Sequence, residues 1–257
     1  MESRIKELFK SQKGNLLSVY YTAGFPNLND TRTTAIALER SGADIIEIGI
    51  PFSDPIADGP TIQESNKIAL DNGMNVHLLL QQVQQIRKSV RLPIILMGYL
   101  NPVLQYGFEK FVKEAARVGV DGLILPDLPV DEYLVMYKKM VDENGLTNTF
   151  LISPTTSEER IRKIDAVTNG FIYAVSSSST TGAQKGFSTE QESYFKRLQD
   201  MKLENPFLIG FGVSNHETFA TVSKYSSGAI VGSAFINLLK DSTDLESDIT
   251  RFITGLR

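Results

Sequence analysis

The stretch DIIEIGIPFSDPIADGPTI, residues 44–62, constrains the fold of this chain most. Isoleucine occupies both alternating faces of residues 45–50, and the only charged side chain among them is Glu47. Successive side chains of a strand point to opposite faces of a sheet. A strand that is apolar on both faces belongs in a parallel sheet covered on both sides. The stretch therefore predicts a buried parallel strand with a carboxylate inside it.

Two acids in this stretch are candidates for proton transfer. Charged residues are rarely buried without a partner, and an unpaired buried carboxyl tends to hold its proton, so the pKa of Glu47 should be raised. Asp58 follows in a loop rich in proline and glycine, which can fold back over the strand end. One acid could then act as general acid and the other as base. The alternatives are a buried ion pair for Glu47 and an ordinary turn carboxylate for Asp58 or its competitor Asp54.

Composition excludes several other kinds of chemistry. The 257-residue chain has a net charge of −4, which argues against nucleic acid as a partner. It has no cysteine, so disulfides, thiol nucleophiles and zinc–thiolate sites are excluded. Its two histidines, His77 and His216, lack metal-ligand spacing, so no metal is expected. No apolar run approaches the roughly 20 residues of a membrane helix, and residues 1–12 lack an apolar signal core, so we expect a cytoplasmic protein with no membrane association.

The remaining sequence repeats a strand followed by a helix. An amphipathic helix around Ile5, Leu8 and Phe9 leads, and eight strands are then predicted at 16–21, 44–50, 93–97, 121–125, 148–152, 171–175, 207–211 and 229–231. Parallel strands need long, usually helical crossovers. Eight such units in about 250 residues predict a single-domain (β/α)₈ TIM barrel over residues 1–257, with an extra N-terminal helix. The alternative, an open doubly wound sheet, would favour GxGxxG after the first strand, where this chain has TAGFPN.

A barrel places its chemistry in the loops after the strands. Those loops are rich in proline, glycine and polar residues, as in PFSDPIADGP after the second strand, residues 98–102 after the third and SSSTTGAQKG after the sixth. The turns at the opposite end, SGAD, VGVD and TNG, are plainer. We therefore expect the active site at the carboxyl-terminal end of the barrel.

Glycines at three of these strand ends suit a phosphate site. Gly182 lies in the loop after the sixth strand, Gly212 follows the seventh, and Gly232 with Ser233 opens a helix after the eighth. Barrels often bind phosphate with these loops and a helix N-terminus. Single glycines are also common in ordinary turns.

Apolar and aromatic residues also collect at these strand ends: Tyr20, Met97, Ile124, Tyr173 and Phe211. They predict either the normal filling of a barrel interior or a pocket for a flat aromatic group.

The run IEIGIPFSDPIADG closely resembles the signature of the tryptophan synthase α subunits, and the similarity extends over the whole chain. That family consists of (β/α)₈ barrels that split indole-3-glycerol phosphate into indole and glyceraldehyde 3-phosphate without metal or organic cofactor. The resemblance implies that Glu47 and Asp58 are catalytic and that Thr181 of a mobile loop hydrogen-bonds the aspartate. It also assigns phosphate binding to Gly182, Gly212, Gly232 and Ser233, and the indole pocket to Tyr20, Met97, Ile124, Tyr173 and Phe211.

The resemblance also implies a partner, a β subunit in an αββα heterotetramer. Loop 51–60 and the loops after the third and fourth strands would form the docking surface. One departure concerns the loop SSSSTTGAQKG, which has serine and threonine where family members usually carry a glycine and often an arginine. Two rival functions share this fold: a sugar-phosphate isomerase, and a non-catalytic α-like subunit that only regulates a partner.

Overall fold

A computed structural model describes residues 3–12, 14–177 and 186–257, and its strands form one parallel sheet. The strand segments are β1 (Leu16–Thr22), β2 (Ile45–Gly49), β3 (Ile94–Met97), β4 (Gly122–Ile124), β5 (Thr147–Thr149), β6 (Leu151–Ile152), β7 (Ile172–Val175), β8 (Phe207–Gly210) and β9 (Gly228–Val231).

The sheet closes into a barrel. The strand order is β5-β4-β3-β2-β1-β9-β8-β7-β6, and β5 and β6 are separated only by Phe150. β5 pairs with β4 and β6 pairs with β7, while the Phe150 carbonyl accepts a hydrogen bond from the Tyr173 N–H at 3.0 Å. The two short segments are therefore halves of the predicted fifth strand. The prediction of a (β/α)₈ barrel is confirmed.

Helices surround the barrel: α1 (Arg4–Ser11), α2 (Asp30–Ser41), α3 (Pro60–Asp71), α4 (Val76–Ile86), α5 (Leu100–Tyr106), α6 (Phe108–Val118), α7 (Val130–Glu132), α8 (Lys138–Glu143), α9 (Glu158–Val167), α10 (Thr189–Asp200), α11 (His216–Ser223), α12 (Ser233–Asp241) and α13 (Leu245–Leu256). A π-helical turn, Tyr133–Tyr137, joins α7 to α8. The reading of residues 98–102 as loop was wrong from Leu100 onward, because α5 begins there. Pro102 falls in its first turn, where the missing N–H breaks no helical hydrogen bond.

Two apolar layers follow from the alternation along the strands. Ile46 and Ile48 belong to the layer between the barrel and the helices, whereas Ile45 belongs to the smaller cluster inside the barrel. Glu47 shares the facing of Ile45, so its side chain points into the barrel interior. The predicted placement of an acid inside the barrel is confirmed.

Helix α1 closes the amino-terminal end of the barrel. Ile5 is completely buried in the interior cluster, and the Phe9 ring lies 5.7 Å from that of Phe171. Arg4 of α1 donates to Asp121, the residue before β4, at 2.8 Å. The amino-terminal end is closed by the apolar side chains of α1 and by the Arg4–Asp121 ion pair. The opening to solvent therefore lies at the carboxyl-terminal end.

Candidate active site

Glu47 is buried in the barrel interior, and no lysine or arginine in the described part of the chain pairs with it. Its side chain has 0% exposure, and Oε1 accepts one hydrogen bond, from the Ser18 hydroxyl at 2.6 Å. Oε2 has no partner among the described residues, and no described lysine or arginine forms an ion pair with this carboxyl. Burial raises the pKa of Glu47 to about 7, against the opposing effect of the Ser18 hydrogen bond. The group can therefore both give and take a proton near neutral pH.

Asp58 lies in the loop between β2 and α3, where Tyr99 holds it. The Tyr99 hydroxyl donates to Asp58 Oδ2 at 3.2 Å and accepts from the Ala57 N–H at 2.9 Å. Because the loop is partly buried, the pKa of Asp58 is raised to about 6, with the Tyr99 hydrogen bond opposing. The loop brings the second acid to the mouth of the barrel, as its prolines and glycines predicted. Asp54, its competitor, is exposed, and among the described contacts its carboxylate accepts a hydrogen bond only from the hydroxyl of its neighbour Ser53.

Two tyrosines project from β1 and β7 over glycines. A Cβ atom on Gly49 would lie 2.2 Å from the Tyr20 hydroxyl, and one on Gly210 would lie 2.5 Å from the Tyr173 hydroxyl. Burial raises the pKa of both phenols, and the charges of Asp58 and Glu47 raise it further, so both stay neutral. The glycines make room for two aromatic rings that face Glu47 and Asp58.

A pocket of about 780 Å³, counting its open mouth, lies above these rings. Eight of the residues predicted for the site line this pocket: Tyr20, Asp58, Met97, Tyr173, Phe211, Gly212, Gly232 and Ser233. Glu47 does not line it, but lies close enough for its charge to raise the pKa of Tyr20 and Tyr173. Ile124 does not line it either; it is fully buried in the interior cluster with Tyr173 and Met97. The structure thus brings eight of the predicted residues together around one pocket, with Glu47 and Ile124 buried beside it.

On the side of the pocket formed by the segments after β8 and β9, the main chain is arranged as in an anion-binding site. Gly232 is the N-cap of α12, a nine-residue helix that begins at Ser233. Phe211 and Gly212 both adopt positive φ, 67° and 80°, a region that few residues other than glycine enter. The Ser176 hydroxyl donates to the Phe211 carbonyl at 2.6 Å and so supports this turn. A helix N-terminus and a glycine turn can together present N–H groups to an oxyanion.

The pocket contains most of the residues predicted for it, whereas the hydrogen-bond partners of the two acids were not predicted. Thr181 and Gly182 lie outside the described residues. Ser18 and Tyr99 were not predicted, although Ser18 is the one polar residue in the strand segment LLSVYY before Tyr20 and shares its facing. No comparable pattern marks Tyr99, whose partners are 41 and 42 positions away.

The histidines lie on helices away from this pocket. His77 contacts Gln81 at 3.0 Å, and His216 contacts the Leu256 carbonyl at 3.2 Å. Among residues 3–12, 14–177 and 186–257, no group of three or more acidic or histidine side chains is arranged to hold a metal ion. None of the helices in that part of the chain is long and apolar enough to cross a membrane.

The fold and the site together define a (β/α)₈-barrel enzyme with one carboxyl buried in the barrel and a second, Asp58, in the loop at its mouth. Residues 6–255 match the model of the family described as tryptophan synthase alpha chain. The chain is 52% identical over 255 residues to the tryptophan synthase alpha chain of Parabacteroides distasonis, with 99% of each chain covered. The chain belongs to the tryptophan synthase alpha chain family.

Solved structures agree with this assignment. The tryptophan synthase alpha chain of Legionella pneumophila superposes with a TM-score of 0.89 and 34% identity, covering 100% of this chain and 96% of that one. A chain from the tryptophan synthase complex of Pyrococcus furiosus gives 0.86 and 34%, covering 95% and 98%. Because both similarities extend along nearly the whole barrel, this chain has the enzyme class of the family, that of an α-type lyase.

Proposed function

We propose that this chain cleaves indole-3-glycerol phosphate into indole and glyceraldehyde 3-phosphate by acid–base catalysis with Glu47 and Asp58. The reaction is the last stage of tryptophan biosynthesis, carried out in the cytoplasm by the single domain of residues 1–257. The observation that carries the proposal is the Glu47 carboxyl, buried in the barrel with no cation and one unpartnered oxygen as far as the described residues go. A carboxyl kept for structure would be paired.

The pocket accommodates the two ends of this substrate in different places. The phosphate binds the N–H groups at Gly212, Gly232 and Ser233, where the helix dipole of α12 favours negative charge. The indole ring packs among the aromatic and apolar side chains on the other walls, namely Tyr20, Met97, Tyr173 and Phe211, of which the last three share the interior cluster with Ile124 or pack against it. The resemblance also assigns Thr181 and Gly182 to this site, and both lie outside the described residues.

The chemistry follows from the leaving group. An indole carbanion is a poor leaving group, so protonated Glu47 first gives its proton to indole C3 and forms an indolenine. The glycerol hydroxyl on the carbon next to C3 then gives its proton back to the Glu47 carboxylate. As that oxygen forms an aldehyde carbonyl, the carbon–carbon bond breaks and its electrons restore the indole ring. Glu47 ends in the protonation state in which it began, which a pKa of about 7 allows.

Asp58 stabilises the charge that appears on the ring. When C3 is protonated, the ring nitrogen becomes positive, and an ionised Asp58 can accept its N–H. Asp58 must therefore be deprotonated, above its pKa of about 6, while Glu47 starts protonated, below about 7. The kcat should consequently show a bell-shaped dependence on pH.

A β subunit is the proposed partner, in an αββα heterotetramer. Among the described residues, the exposed large apolar side chains are Ile56, Leu104, Val135 and Met136. They lie in the segments after β2, β3 and β4, which are neighbours in the barrel. Apolar exposure confined to one sector around a site is typical of an interface. The matching chain of the Pyrococcus furiosus structure comes from a tryptophan synthase complex, which supports this partner.

The test is indole release from indole-3-glycerol phosphate by the isolated chain, its Glu47→Gln variant and a matched Asp54→Asn control. Glu47→Gln should lower kcat by about 10³-fold, in the range that general acid–base catalysis supplies, while the variant stays folded and its binding of glycerol phosphate changes little. Asp54 lies in the same loop as Asp58, but its side chain is exposed, so Asp54→Asn should keep the wild-type kcat.

Other outcomes would favour the rival functions. An unmodified chain that isomerises a sugar phosphate but releases no indole would be an isomerase. A chain that releases no indole even with a β subunit present would be a non-catalytic subunit. Near-wild-type turnover by Glu47→Gln would show that the acid–base assignment is wrong.

A further inference from the structure

Ser18 makes a hydrogen bond that the proposed mechanism does not use. It lies on β1, is fully buried, and its hydroxyl donates to Glu47 Oε1 at 2.6 Å. In the strand register Ser18 pairs with Ile45 and Tyr20 pairs with Glu47, so Ser18 lies one interior position below Tyr20, toward the closed end of the barrel. The bond therefore ties the carboxyl from its inner side.

The two oxygens of Glu47 consequently have different surroundings. Oε1 has Ser18 as its donor, and Oε2 has no partner among the described residues. The titratable groups that face this carboxyl are the phenols of Tyr20 on β1 and Tyr173 on β7, both neutral, and Asp58 acts on the same two phenols. With no described cation in contact to orient the carboxyl, the serine hydroxyl is the contact that selects its rotamer.

We propose that Ser18 is a positioning residue: its hydroxyl holds Glu47 Oε1 against β1, so that Oε2 alone carries the proton between indole C3 and the glycerol hydroxyl. The inference rests on the proposed function, since it assigns the transfer to one oxygen of the same carboxyl. A single oxygen that first gives and then takes the proton requires a carboxyl that does not rotate between the two steps.

The experiment compares Ser18→Ala, Ser18→Thr and a Thr34→Val control by kcat, KM and the pH dependence of kcat. Thr34 lies on α2, is fully buried, and its hydroxyl has no partner in the described structure, so the control removes a buried hydroxyl without removing a hydrogen bond. Ser18→Ala should lower kcat about tenfold, as expected for a hydrogen bond to a charged group, while KM stays within about twofold.

The pH profile separates positioning from simple packing. The Ser18 hydroxyl stabilises the ionised carboxyl, so its removal should move the alkaline limb of kcat, set by Glu47, upward by about one pH unit. The acidic limb, set by Asp58, should stay in place. Ser18→Thr keeps a hydroxyl and should restore the wild-type limb. A residue that only fills space would change the melting temperature but not the limb.

Two results distinguish this inference from the proposed function. If Glu47→Gln abolishes turnover but Ser18→Ala keeps both the wild-type kcat and the wild-type limb, the role of Ser18 is refuted and the function stands. If Glu47→Gln retains turnover, both fail. If Ser18→Ala folds poorly, the alkaline limb of the kcat–pH profile of Ser18→Thr decides. If that variant folds correctly but its alkaline limb is displaced from the wild-type position, the assignment is overturned.

Discussion

The two ends of the barrel each bury a carboxylate, and they surround it differently. At the amino-terminal end, Asp121 accepts hydrogen bonds from Arg4 at 2.8 Å, from Arg87 and from the Ile94 N–H at 2.8 Å. At the carboxyl-terminal end, Glu47 has one hydroxyl donor and no cation among its described contacts. The contrast teaches that partners, as well as burial, decide what a carboxylate can do: Asp121 is held by two guanidinium groups, whereas Glu47, buried with no described cation in contact, has its pKa raised to about 7.

The Asp121 network connects three elements around the closed end. Arg87, at the end of α4, also donates to the carbonyls of Gly119 and Leu92, and burial lowers its pKa to about 10. Arg4 brings α1 to the same carboxylate. The Asp121 carboxylate thus connects helix α1, the end of helix α4 and the start of strand β3.

The largest expected effect is on stability, from Asp121→Asn. The change removes the charge opposite two guanidinium groups, and breaking a buried ion pair from one side costs about 3–5 kcal/mol of unfolding free energy. Urea denaturation of the isolated chain would measure it, and kcat of the folded enzyme should stay within about twofold. Glu109→Gln, which breaks an exposed pair with Lys113, is the control and should leave the midpoint nearly unchanged. A similarly small change for Asp121→Asn would show that the network at the closed end is dispensable.

The second largest expected effect is on how the unfolding free energy depends on pH. An acid in an ion pair stabilises the fold less as the pH falls, whereas Glu47 should stabilise it less as the pH rises. Its pKa is raised from 4.5 to about 7, so between these values the folded chain holds a proton that the unfolded chain has released. Stability from this group is therefore complete below pH 4.5 and lost as the pH rises to about 7, by about 3 kcal/mol.

Glu47→Gln isolates this contribution, because glutamine does not titrate. The difference in unfolding free energy between wild type and variant should change by about 3 kcal/mol between pH 4.5 and pH 8, in favour of the variant at the higher pH. Urea denaturation at four or five pH values would measure it. A difference independent of pH would mean that Glu47 ionises normally and that the two ends of the barrel do not differ as argued.

The smallest effect concerns Tyr99→Phe at the open end. Loss of the hydroxyl removes the donor to Asp58 and the acceptor for the Ala57 N–H, so kcat/KM should fall about fivefold, near 1 kcal/mol for one hydrogen bond. Tyr106→Phe, which removes a hydroxyl bonded to Glu114 between α5 and α6, is the control and should keep wild-type kinetics. Equal kinetics for both variants would mean that Asp58 does not need this support.

The sequence predicted the barrel because its strands have a strong local signal. The isoleucines on both faces of β2 predicted that Glu47 would be buried, but the alternation alone does not distinguish the inner face of the strand from the outer one. The loop that carries Asp58 was predictable because proline and glycine limit its backbone. The residue roles proposed for catalysis and binding remain predictions.

Contacts between distant segments were not predictable in this way. Ser18 meets Glu47 across 29 positions, and Tyr99 meets Asp58 across 41. Helix α5 was missed because a proline in a short segment indicates a turn as readily as a first helical turn. Ile124 was expected on the pocket wall, but its side chain is completely buried in the interior cluster, although the strand register pairs it with Met97, which does line the pocket.

The glycines beneath Tyr20 and Tyr173 limit how this barrel can be altered. A methyl group at residue 49 or 210 would clash with the phenol ring over it, so neither strand position accepts even alanine without a shift of that tyrosine. Variants that accept a larger or smaller ring must instead change Met97, Phe211 or the flanking loops. Engineering or natural divergence in substrate size should accordingly leave residues 49 and 210 as glycine while the rim of the pocket varies.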